Sequence, residues 1–97
     1  MRSSPGSLRL SRVAERLDSL VARIDARGVA RIANDVRAIA DDLREIADNS
    51  LRAETIRIRV AIERLTRICA RLRRAGLLRC ANDLGDLVDE LRPLRGS

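Results

Sequence analysis

The apolar residues of this chain fall on one another when the sequence is shifted by 48 positions. Leu10, Val13, Leu17, Leu20 and Ile24 coincide with Ile58, Ala61, Leu65, Ile68 and Leu72. Beyond a shared glycine, Gly28 with Gly76, the series Val29, Ile32, Val36, Ile39, Leu43 and Ile46 coincides with Leu77, Cys80, Leu84, Leu87, Leu91 and Leu94. Spacings of three and four alternate in each series, the pattern of helices packed along one apolar stripe. The phase breaks at both glycines, because Ile24 to Val29 and Leu72 to Leu77 are five residues apart. Each half therefore reads as a helical hairpin, and a hairpin with one apolar face needs a second to cover it.

The periodicity predicts helices at about 7–26, 29–47, 51–74 and 77–92. These form one domain over 7–92, from a hairpin at 7–47 and a hairpin at 50–92, with tails at 1–6 and 93–97. Gly28 and Gly76 suit the left-handed conformation that ends a helix, where a Cβ is penalised. Ser7 and Ser50 are the expected N-caps of the first and third helices, and Pro93 the expected stop of the fourth. Gly85, inside the fourth helix, costs about 1 kcal/mol relative to alanine.

The residues flanking the stripe differ from side to side. On one flank, antiparallel pairing within each hairpin puts Arg9 near Asp42 and Arg16 near Asp35. The same register puts Arg57 near Glu90 and Arg64 near Asp83 in the second hairpin. The other flank is apolar, with Ala14, Val21, Ala33, Ala40 and Ala47 in the first hairpin and Ile62, Cys69, Ala81 and Val88 in the second. Packing the two apolar flanks together would bury them. The expected fold is all-α, an antiparallel up-down-up-down four-helix bundle of two tandem hairpins; a dimer of two-hairpin chains is the alternative.

Composition narrows the chemistry. The 97 residues include no His, Phe, Tyr or Trp, and neither Lys nor Gln occurs, so all 20 basic residues are Arg. Such a restricted alphabet departs from ordinary usage. It points to an engineered sequence, with a natural protein from a high-GC genome as the alternative. Without His there is no imidazole base and no His-ligated metal site. Without Lys there is no Schiff base, and without aromatics no stacking platform for unpaired bases. No enzymatic activity, metal or cofactor is expected. The net charge of +6 invites nucleic-acid or acidic-membrane readings, but the 14 acidic residues are interspersed with the arginines. No apolar run has the length of a membrane span. The first seven residues lack the apolar stretch of a signal peptide, so a cytoplasmic, reducing setting is expected.

Three side-chain groups stand out. Cys69 and Cys80 share one layer of the second hairpin in this register and replace Val21 and Ile32 of the first. They read as small core hydrophobes; a disulfide between them and a reactive thiol are the alternatives. Arg23, Arg27, Arg31, Arg67, Arg71, Arg73, Arg74 and Arg79 gather at the end holding both turns, with Asp25 the evident acid nearby. Guanidinium forks suit phosphate, which makes Arg27, Arg31, Arg73, Arg74 and Arg79 the candidate anion-binding residues. Arginines closing helices 1 and 3 also complement the helix dipole, but Arg31 and Arg79 open helices and oppose it. Asp41, Asp42, Glu45 and Asp48 lie mostly off the apolar stripe and read as a solvated face. Ile56 and Val60, with Leu51 and Leu78, are apolar residues at outward positions that could seed self-association.

Heptad stripes, glycine turns and charged flanks over residues 7–92 resemble those of Rop-like and designed four-helix bundles. The resemblance implies architecture alone, and no functional residue carries over from it. The sequence thus points first to a structural scaffold, an engineered bundle existing as a monomer or homodimer. The alternative is a small bacterial or phage protein that binds nucleic acid or an acidic partner through its arginine end.

Overall fold

The computed structural model describes residues 5–49 and 54–95 and contains four α-helices packed antiparallel. They are α1 (Pro5–Ala26), α2 (Ala30–Asn49), α3 (Glu54–Arg74) and α4 (Leu78–Leu91), followed by a 3₁₀ turn over Arg92–Arg95. Each helix packs on two neighbours, α1 on α2 and α4, and α3 on α2 and α4, with α1 and α2 in the most extensive contact. The bundle measures 40 × 24 × 17 Å.

Helix ends differ from expectation in instructive ways. Helix α1 begins at Pro5, ahead of the expected cap Ser7, because proline suits a first turn whose N–H has no intrahelical partner. Ser50 and Leu51 lie outside the described residues. Helix α4 stops at Leu91, yet Pro93 sits within the 3₁₀ turn that prolongs it, so part of the expected tail is ordered backbone.

Both tight turns close as the glycines require. Gly28 and Gly76 have φ of 81° and 82°. Gly28 N–H donates to the Asp25 carbonyl at 2.9 Å and Val29 N–H to that of Ile24 at 3.5 Å. The second turn repeats this, with Gly76 N–H to the Arg73 carbonyl at 3.0 Å and Leu77 N–H to that of Leu72 at 2.9 Å. These paired bonds satisfy carbonyls that a helix end leaves open.

The stripe is the core. Leu17, Ile24, Leu43, Leu65, Leu72, Leu84 and Leu91 are fully buried, and no polar or charged residue is buried among the described residues. Val29 and Leu94, at the edges of the pattern, are only partly buried and pack against the core. Gly85 is a mid-helix glycine with open space where a Cβ would stand, nothing lying within 4 Å. Gly85→Ala is therefore expected to stabilise the protein by about 0.5–1 kcal/mol. Urea denaturation checks this, and a destabilised variant would mean that the open space is not there in solution.

The flanks pair differently from the sequence register. None of the ion pairs expected inside each hairpin forms among the described residues: Arg16, Arg57 and Arg64 take partners in the other hairpin, and Arg9 forms no ion pair among the described residues. Arg16 bridges to Glu90 at 2.6 Å and Arg23 to Asp83 at 2.5 Å, joining α1 to α4. Arg64 bridges to Asp42 at 3.2 Å and Arg71 to Asp35 at 2.7 Å, joining α3 to α2. Arg57 reaches Glu45 at 3.7 Å instead of Glu90. The apolar flanks, expected to join the two hairpins, lie inside them: the Cys69 thiol approaches the Ala81 carbonyl at 3.7 Å between α3 and α4. The reason is steric. A turn of three residues, 27–29 or 75–77, holds its two helices close, which suits the small flank. The long Arg–carboxylate reach spans helices not joined by such a turn. Each bridge is about half-exposed and contributes only about 0–1 kcal/mol, so its main effect is on register.

Candidate polyanion interface

Helices α1 and α3 end, and α2 and α4 begin, at the same end of the bundle, and the local sequence supplies that end with arginine. Basic residues fill the last turns of α1 and α3, Arg23 in one and Arg71, Arg73 and Arg74 in the other. The first turns of α2 and α4 hold no acid. Leu77 is the N-cap of α4 and provides no side-chain hydrogen bond, so the open N–H groups of the first turn add positive character.

Two of the eight arginines are neutralised. Arg23 is taken by Asp83 and Arg71 by Asp35, and the Asp83 hydrogen bond raises the Arg23 pKa above its ordinary value. The sequence register missed these partners because it assigned Asp35 and Asp83 to Arg16 and Arg64. The signal was nevertheless present: the basic ladder steps by seven from Arg16 to Arg23 while the acidic one steps back by seven from Glu90 to Asp83. Arg27, Arg31, Arg67, Arg73, Arg74 and Arg79 form no ion pair among the described residues.

Of the candidates, Arg27 and Arg79 come together. With Arg23 they line a concavity of about 460 Å³ between the end of α1 and the start of α4, to which Leu77 and Cys80 also contribute. Arg31 lies one turn before Asp35, and Arg74 one turn after Arg71. The Asp35–Arg71 bridge therefore brings this pair to the seam between α2 and α3. Arg73 lies apart from both pairs. It lines the outer groove between α3 and α4 with Thr66, Cys69 and Gly85.

Cys69 and Cys80 are both buried free thiols, and they line different surfaces, Cys69 the outer groove and Cys80 the arginine concavity. Burial pushes the Cys69 thiol pKa up, with Arg73 pulling it back in part. Three acids of the α2 run form salt bridges, Asp41 with Arg44, Asp42 with Arg64 and Glu45 with Arg57, and Asp48 forms none among the described residues. Arg44 also pairs with Asp18 of α1, which raises the Arg44 pKa. Ile56 and Val60 are exposed at the start of α3, whereas Leu78 is exposed at the turn end, so they do not make one continuous patch.

Among the described residues no cluster of three or more His, Cys, Asp or Glu is placed to hold a metal ion. No described helix is long and apolar enough to cross a membrane. No protein-family model matches the chain, and neither a curated protein nor a solved structure is found similar to it.

Proposed function

We propose that this chain is a non-enzymatic helical scaffold whose arginine-rich turn end binds polyanions, nucleic acid among them. The observation that carries this reading is the sorting of charge. The paired arginines run up the seams, while Arg27, Arg31, Arg74 and Arg79 lie where two helices begin and have no carboxylate partner among the described residues. Unpartnered guanidinium groups beside open helix N–H groups favour phosphate oxygens. Arg31 and Arg79 are otherwise unexplained, since cations at helix starts oppose the dipole. The scaffold itself we read as a duplicated and diversified hairpin of engineered origin, on the strength of its restricted alphabet and its 48-residue repeat. A natural lineage of sequences carrying the same hairpins would overturn that origin.

Filter binding with labelled nucleic acid tests the function. The expected result is binding at low salt that weakens steeply as salt rises, because arginine–phosphate contacts release condensed counterions. Lack of any affinity at about 10–20 mM salt, where counterion release favours binding most, would end this reading.

A further inference from the structure

The four seam bridges share a symmetry that the turn end keeps in part: a shift of 48 residues relates Arg31 to Arg79, whereas Arg27 and Arg74 fall on Ala75 and Ala26. A shift of 48 residues turns Arg16–Glu90 into Arg64–Asp42, and Arg23–Asp83 into Arg71–Asp35, so exchanging the hairpins exchanges the bridges. Such an exchange of diagonal helices is a pseudo-twofold rotation about the long axis of the bundle. Beyond the Arg23–Asp83 bridge, Arg27 and Arg79 each lie one turn further toward the turn end. Beyond the Arg71–Asp35 bridge, Arg74 and Arg31 do the same. The end face thus carries two arginine pairs on opposite sides of one axis, each beside the start of a helix.

We infer that these two pairs act together as a twin site for the sugar–phosphate backbones of double-stranded DNA, one pair on each strand. This inference rests on the polyanion reading and specifies its partner. Three observations favour a duplex. A duplex presents two phosphate backbones related by local twofold axes, matching the two pairs. The bundle cross-section of 24 × 17 Å is of the same order as the roughly 12 Å width of the B-form major groove. The chain has no aromatic residue, so unpaired bases find no aromatic platform, the stacking partner that most favours a single strand. Sequence readout has no visible basis here, and binding is expected to depend on backbone charge alone.

Fluorescence anisotropy with a short labelled DNA duplex, and separately with one of its strands, tests this. The proteins are the unaltered chain, Arg27→Gln/Arg79→Gln, Arg31→Gln/Arg74→Gln and the fourfold variant, with circular dichroism confirming that each remains helical. Four arginine–phosphate contacts predict a roughly 150-fold loss of duplex affinity between 50 and 200 mM salt. Each double variant is expected to lose about half of the logarithmic salt slope, the two losses being equal, and the fourfold variant nearly all of it. A slope kept in the fourfold variant would overturn the twin site and the turn-end reading together, whereas a slope carried by one pair alone would overturn the twin site and leave polyanion binding standing. So would a single strand held as tightly as the duplex and equally sensitive to both pairs. Absence of binding to either DNA at low salt would overturn both readings.

Discussion

Replacing Leu17 with alanine is expected to destabilise the bundle by about 2–5 kcal/mol, and replacing Leu65 by a similar amount. Both side chains are fully buried, and they occupy places related by the 48-residue shift. Each truncation removes a large apolar group from a core closed on every side and leaves a cavity that tightly packed neighbours fill only in part. Against a total stability of about 5–15 kcal/mol for a domain of this kind, the loss is large. Urea denaturation with unchanged slope would read it as a lower midpoint. Leu8→Ala is the control, because Leu8 is 57% exposed, and its replacement is expected to change stability by no more than about 0.5 kcal/mol. A loss under about 1 kcal/mol at Leu17 or Leu65 would contradict a closed core at that level.

Enlarging Ala40 is expected to cost nearly as much. Ala40 is fully buried with Ala14 and Ala33 on the small flank of the first hairpin, where α1 and α2 make their extensive contact. Three added carbons in Ala40→Leu have no space there and must displace backbone, at about 1–3 kcal/mol. The position 48 residues on holds Val88, which borders the open outer groove between α3 and α4. Val88→Leu can extend toward that groove and is expected to cost less. Thermal melts of the two variants check the order, and equal costs would show that the first hairpin is no more tightly closed than the second.

Most of the architecture was legible from local patterns. The stripe that named Leu17, Val36, Leu43 and Leu84 as core is the stripe the structure buries. Gly28 and Gly76 announced both turns through the broken phase and adopt the positive φ that ends a helix there. The α-helix stops short of Pro93 as expected, with a short 3₁₀ turn after it; the cap at Ser7 fared worse, since a proline in a first turn costs little and leaves no strong mark in the sequence. The candidate site was legible as a composition, the arginines of the turn end. Its grouping was not. Arg23 and Arg71 look like their neighbours in sequence, and only the placement of Asp83 and Asp35 separates them from Arg27, Arg79, Arg31 and Arg74, which form no ion pair among the described residues.

The sequence alone determined helices, turns and which residues face inward, because those follow from spacing along a single chain. It could not determine which neighbour each flank meets. In an antiparallel four-helix bundle every helix has two neighbours, and reversing the hand of the bundle exchanges the partners of its two flanks while burying the same stripe. The tertiary structure made that choice through fit: the small flank of Ala14, Ala33 and Ala40 lies where a tight turn holds helices close, and the ladder of Arg16, Arg23, Arg64 and Arg71 spans the seam between hairpins. That placement uses up two of the arginines at the turn end, leaves Arg27 with Arg79 and Arg31 with Arg74 on opposite sides of one axis, and sets Arg67 and Arg73 outside both pairs.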